Sequence, residues 1–125
     1  MTVSLIMLIT GSLLAIGWGV AHLWATRPVI EGFGEITPDN RLIIRMEWIA
    51  SGMTLVFLGF LVLIMSLLGG NTNPFSVLVC RMSALMLLAL AGLALMTGGR
   101  TALIPLKMCP VVKTVAALLI LLGTL

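Results

Sequence analysis

The chain has 125 residues, of which 61% are hydrophobic and only 9% are charged, and its mean hydropathy is +1.26. Soluble domains are about 45–50% apolar and about 25% charged, so this composition excludes an ordinary soluble fold, and it equally excludes intrinsic disorder. The net charge of +3 comes from dispersed cations rather than a basic stripe, so the lipid bilayer is the expected partner and nucleic acid is not.

Four stretches are long and apolar enough to cross a membrane as helices, which takes about 20 residues. They cover residues 3–24, 48–68, 75–97 and 102–125. The segments between them, at residues 25–42, 69–74 and 98–101, are rich in glycine, proline and polar turn residues. The sequence therefore predicts an all-α fold, a single four-helix transmembrane bundle that occupies residues 1–125.

The first span is interpreted as a membrane anchor, because it lacks a basic leading region and is too long for the core of a signal peptide. His22 lies near its end, one turn after Trp18. A lone histidine here is interpreted first as an interface residue and alternatively as a titrating member of a polar site. The three tryptophans, Trp18, Trp24 and Trp48, are interpreted as interfacial aromatic anchors.

The connection at residues 25–37 is predicted to be a loop that lies on the membrane surface. Four apolar side chains interrupt its polar sequence and would form a roof over the bundle: Val29, Ile30, Phe33 and Ile36. Thr37 followed by Pro38 is a typical helix start, with a hydroxyl N-cap and proline at the first helical position. The second helix is therefore expected over residues 38–69, with residues 38–47 in the headgroup layer and 48–68 in hydrocarbon.

A polar face follows on the second helix, where Glu47, Ser51 and Thr54 have the spacing of one helix side. In the last span Lys113 is seven residues past Leu106, a depth of roughly 10 Å. An ionisable residue at that depth marks a functional site by default, unless its long stem carries the ammonium back to the interface. Glu47 is the expected partner of Lys113, either as a structural pair or as part of a site.

Two further features concern packing. Arg81, near the start of the third span, is expected either to extend to the interface or to contact a helix end. Small residues recur four apart, which allows close helix contact in lipid; the predicted packing positions are Gly11, Ala15, Gly17, Ala21, Ala94 and Gly98.

The cations predict the orientation, because Lys and Arg in short loops stay in the cytoplasm. Most of them fall beside the first and third connections, namely Arg27, Arg41, Arg45, Arg100 and Lys107. Loops 25–42 and 98–101 are therefore expected in the cytoplasm, and both termini outside.

No catalytic constellation, metal-ligand spacing or cofactor motif is present in the sequence, which favours a non-enzymatic protein without cofactor or metal. The leading hypothesis is a small integral membrane protein that acts through helix contacts, by self-association or as an accessory subunit of a membrane complex. The alternative is a carrier or binding protein for a small anionic or amphiphilic ligand. Its site near the cytoplasmic face would contain His22, Glu47, Ser51 and Lys113.

Overall fold

The computed structural model describes residues 2–125, which form four long helices and one short one. The helices are α1 (Val3–Trp24), α2 (Thr26–Glu31), α3 (Pro38–Leu68), α4 (Pro74–Met96) and α5 (Ile104–Gly123), with a 3₁₀ turn at Gly98–Arg100 between α4 and α5. All four long helices are apolar and long enough to cross a membrane. The predicted all-α class and four-helix bundle are confirmed, and the chain is a multi-pass membrane protein.

Local capping chemistry fixes where the second and third long helices begin. The Thr37 hydroxyl accepts a hydrogen bond from the backbone N–H of Asn40 at 3.2 Å, and Pro38 occupies the first helical position. At the next helix start the Asn73 side chain accepts an N–H two residues on at 2.9 Å, again with a proline, Pro74, at the first position. Both motifs satisfy backbone donors that have no partner within the helix.

The connection predicted to be a loop contains the short helix α2. The Thr26 hydroxyl donates to the Leu23 carbonyl at 2.7 Å, and Arg27 forms an ion pair of 2.8 Å with Glu31 one turn later. Ile30 is only 7% exposed, because α2 rests on α3. Burial of this isoleucine is a tertiary contact, which explains why the turn-rich sequence did not predict a helix here.

The long helices run antiparallel to their neighbours around the bundle. α1 packs against α3 on one side and α5 on the other, while α4 packs closely on α5 and less extensively on α3. The end of α1, helix α2, the start of α3, the end of α4 and the start of α5 consequently lie together. This end is called the α2 end below, and the other is called the opposite end.

Glycines bring the backbones of α1 and α3 close together. A Cβ added to Gly19 would stand 2.9 Å from the carbonyl oxygen of Gly52, and one added to Gly59 would stand 2.8 Å from that of Ser12. Gly11 makes a similar approach to α5, at 2.9 Å from the carbonyl oxygen of Ala116. Such contacts gain van der Waals energy that bulkier side chains would prevent.

The positions predicted from small-residue spacing are distributed unevenly. Gly11 and Ala15 are buried between helices. Gly17 is exposed, with no other helix within 4 Å of an added Cβ, and Ala21 is exposed at the α2 end. Ala94 and Gly98 are partly buried near the end of α4. The sequence did not single out Gly19, Gly52, Gly59 or Gly123, which make close contacts.

Arg81 closes the C-terminal end of α5 at the opposite end of the bundle. Its Nε donates to the hydroxyl of Thr124 at 3.1 Å, and its Nη2 donates to the Thr124 carbonyl oxygen, also at 3.1 Å. The last carbonyls of a helix have no partner within it, and a cation there is favoured by the helix dipole. Of the two roles expected for Arg81, the structure shows the contact with a helix end.

Candidate ligand-binding cavity

A cavity of about 650 Å³ opens at the α2 end of the bundle. It lies between α1, the α2 segment, the start of α3 and the start of α5. Its lining is mostly apolar and aromatic: Trp18, Ala21, His22, Ala25, Pro28, Val29, Gly32, Phe33, Trp48, Thr101, Leu103, Pro105, Leu106 and Cys109. Small-molecule sites typically have about 300–1,000 Å³ and a predominantly apolar lining with a few polar groups.

Two tryptophans line the cavity, and the indole N–H group of each donates a hydrogen bond to another helix of the protein. The indole N–H of Trp18 donates to the sulfur of Cys109 at 3.4 Å, which ties α1 to α5. The indole N–H of Trp48 donates to the backbone carbonyl of His22 at 2.7 Å, which ties α3 to α1. Trp24, by contrast, is 87% exposed. Trp18 and Trp48 therefore line the cavity and also link neighbouring helices through their N–H groups.

The His22 imidazole stacks on the indole of Trp48. Their ring centroids are 3.8 Å apart and the rings are inclined by 9°. Within residues 2–125 the ring nitrogens of His22 make no hydrogen bond, so they remain free for a ligand. The hydroxyl of Thr101 donates to the Gly98 carbonyl at 2.7 Å, so its oxygen has accepting capacity left. These are the main polar groups in an otherwise apolar lining.

The four residues of the predicted polar site are not gathered in this cavity. His22 lines it, whereas Glu47, Ser51 and Lys113 do not. Glu47 is exposed and Ser51 is partly buried. Trp48 faces the cavity, and Glu47 precedes it by one residue, so the two side chains leave α3 in directions about 100° apart.

Lys113 is buried, with only 5% of its surface exposed. It lies one turn beyond Cys109 on α5, on the side away from the α2 end. The direct contact expected between Glu47 and Lys113 is absent. Within residues 2–125, Arg27 and Glu31 form the one ion pair whose nitrogen and oxygen atoms lie within 4.0 Å of each other. Lys113 is thus a largely buried lysine without an acidic partner within residues 2–125.

The apolar roof predicted over the bundle is present in part. Val29 and Phe33 line the cavity, whereas Ile30 is buried against α3 and Ile36 lies outside the lining. The contribution of α5 to the cavity, from Pro105 to Cys109, was not predicted from the sequence. The available signal was Pro110, since a proline inside a helix removes one backbone hydrogen bond and marks an irregular part of the span.

No group of three or more His, Cys, Asp or Glu that could hold a metal occurs in residues 2–125. The chemistry that the cavity offers is apolar contact, aromatic stacking and one or two hydrogen bonds. No protein-family model matches the chain, and neither a curated protein nor a solved structure shows significant similarity to it.

Proposed function

We propose that this protein binds a small amphiphilic molecule in the cavity at the α2 end and does not transform it chemically. The observation that carries the proposal is the 650 Å³ apolar cavity with the free imidazole of His22 in its wall. A ligand that fills an apolar cavity makes van der Waals contacts with its walls, and these contacts favour binding. This function corresponds to the alternative hypothesis from the sequence, a binding protein for an amphiphilic ligand, but the proposed site contains only His22 of the four predicted residues and is more apolar.

The expected ligand has a largely apolar body and one hydrogen-bonding group. The body would lie among Trp18, Phe33 and Leu106, whose side chains offer aromatic and aliphatic surface. The polar group would bond to a ring nitrogen of His22, which lines the cavity and makes no other side-chain hydrogen bond within residues 2–125. A monocarboxylic amphiphile such as a fatty acid satisfies both requirements.

Binding of cis-parinaric acid, a fluorescent fatty acid, tests this proposal in detergent solution. Trp18 and Trp48 line the cavity and would transfer excitation energy to the bound probe, while Trp24→Phe removes the exposed donor. We expect a saturable signal with one probe per chain, in contrast to the unsaturable signal of a probe that partitions into micelles. Absence of any saturable component would contradict the proposed ligand class.

The matched variants are Ala21→Phe and Val20→Phe, which add the same ring to adjacent positions of α1. Ala21 lines the cavity, whereas Val20 is 51% exposed and does not line it. Probe binding should be lost in Ala21→Phe and retained in Val20→Phe. Equal binding by the two variants would place the probe elsewhere.

The second candidate function is association with further copies or with other membrane subunits. It is supported by Gly17 and Gly92, which are exposed on α1 and α4 with no other helix within 4 Å of an added Cβ. Such surfaces admit the backbone of another helix. Crosslinking in native membranes with Gly17→Leu would test this role, since a bulky side chain should block an interface there and leave probe binding intact.

The proposed orientation places residues 25–42 and 98–101 in the cytoplasm and both termini outside. It is supported by the collection of the loop cations at the α2 end, remote from Arg81. Cysteine labelling from each side, at Glu35→Cys and Asn71→Cys, tests it, because the native Cys80 and Cys109 are buried and should give little background. Labelling of Glu35→Cys from outside would show that the chain has the opposite orientation.

A further inference from the structure

A second groove lies on the other side of α2 from the cavity and has a different chemistry. It has a volume of about 420 Å³ and is formed by the end of α1, α2 and the first two turns of α3. Three arginines line it, Arg27, Arg41 and Arg45, together with the single acid Glu31. The formal charge of the lining is therefore +2.

The three guanidinium groups are not equally engaged. Arg27 is held by Glu31 at 2.8 Å, and this hydrogen bond raises the pKa of Arg27. Arg41 and Arg45 lie one turn apart on the same side of α3 and form no ion pair or side-chain hydrogen bond within residues 2–125. Two adjacent cations on one helix face repel each other unless an anion lies between them.

Apolar side chains complete the groove beside these cations. Leu23, Trp24, Ile30 and Leu42 contribute to its lining, and Trp24 is 87% exposed. An exposed tryptophan next to arginines is typical of the boundary between hydrocarbon and headgroups. The groove thus offers cations to an anionic headgroup and apolar surface to the chains attached to it.

We propose that this groove binds the phosphate of an anionic phospholipid, with Arg41 and Arg45 as its main ligands. Guanidinium groups match the geometry of phosphate oxygens and can donate two hydrogen bonds to them. The apolar wall formed by Leu23 and Trp24 favours a lipid over a free phosphate ion, because it would contact the first methylenes of an acyl chain. Glu31 opposes the anion and limits its affinity.

The test uses the full-length protein, purified in a neutral maltoside detergent and depleted of lipid. Three probes are added separately: short-chain phosphatidylglycerol, phosphatidylcholine with the same chains, and inorganic phosphate. Affinity is read from the rise in melting temperature with probe concentration. We expect phosphatidylglycerol to protect the protein more strongly than phosphatidylcholine, and inorganic phosphate to give no protection.

The variant that tests the site is the double substitution Arg41→Gln with Arg45→Gln. Its control is Arg100→Gln with Lys107→Gln, which removes the same charge from exposed positions at the same end, outside the groove. Loss of two cations near a lipid headgroup should weaken phosphatidylglycerol binding about thirtyfold in the first variant and little in the second. A similar loss in both would show that net charge alone attracts the lipid.

Glu31→Gln provides a test that does not depend on loss of binding. It removes the negative charge from the groove and frees Arg27, so phosphatidylglycerol should bind several-fold more tightly. Unchanged or weaker binding would contradict the proposed site, and protection by inorganic phosphate equal to that by phosphatidylglycerol would contradict the lipid as ligand. The fatty-acid probe of the cavity should still bind Arg41→Gln with Arg45→Gln, since neither arginine lines that cavity.

Discussion

Replacement of Gly59 by alanine should destabilise the bundle, although alanine is the better helix former. A Cβ at this position would stand 2.6 Å from Cγ1 of Ile16, 2.8 Å from the carbonyl oxygen of Ser12 and 2.9 Å from the backbone nitrogen of Ile16. Two of these three atoms belong to the backbone of α1 and cannot rotate away. The two helices would have to separate by about 0.6 Å to restore an ordinary contact of 3.4 Å with the Ser12 oxygen.

Overpacking of this kind costs about 2–3 kcal/mol, near the upper end of its usual range because backbone must move. The gain in helix propensity from glycine to alanine offsets about 1 kcal/mol. We therefore expect Gly59→Ala to lower the free energy of unfolding by about 1–2 kcal/mol. Loss of helical circular dichroism during titration with sodium dodecyl sulfate measures this quantity.

Gly17→Ala is the matched control, since it is the same substitution within a long helix but with open space around the added Cβ. It should leave the free energy of unfolding unchanged or raise it by up to about 1 kcal/mol. The packing argument would be refuted if Gly59→Ala were as stable as the parent, or if Gly17→Ala lost as much stability.

Three further predictions concern charge and hydrogen bonding. Lys113→Met should raise the free energy of unfolding by about 1–3 kcal/mol, because it replaces a lysine that is only 5% exposed and lacks an acidic partner with an apolar side chain, and Glu47→Gln should change it by less than about 0.5 kcal/mol. A double-mutant cycle in the same assay should give a coupling below about 0.5 kcal/mol, and a coupling above about 1 kcal/mol would show that the two residues interact. Arg81→Met should lower the melting temperature by removing both hydrogen bonds to Thr124, at a cost of about 1–3 kcal/mol, whereas an unchanged melting temperature would mean that water replaces them. Trp48→Phe keeps an aromatic ring for the imidazole but loses the donor to a backbone carbonyl of α1; it should cost about 1 kcal/mol, and no change would show that this bond is dispensable.

The spans were predictable from the sequence because the thickness of a bilayer sets a length that the chain must satisfy. The start of α3 was predictable for a different reason. Capping depends on residues within three positions of one another, so Thr37 and Pro38 carry the information themselves. The association of Arg81 with a helix end was likewise one of two roles inferred from its position near the start of a span.

The direction in which each helix faces was predictable from the sequence only in part: Gly11 and Ala15 are buried as expected, whereas Gly17 is exposed. Leucine, methionine and alanine surround every span, so the pattern that marks the buried side of a soluble helix is weak here. Gly17 and Gly19 are two residues apart and equally small, yet Gly19 contacts α3 and Gly17 contacts no other helix. On α3, the polar spacing of Glu47 suggested the inward side, whereas Trp48 occupies it.

The sequence by itself determined that this chain folds as four membrane-spanning helices, because hydrophobicity and capping are properties of contiguous residues. The tertiary structure alone decided that α2 forms, that Lys113 is buried without Glu47, and that Trp18 and Trp48 enclose a cavity with the start of α5. Each of these depends on residues from separate helices that meet only after the bundle has packed. Spacing along one helix cannot encode them, since it records which residues share a face and not what that face will contact.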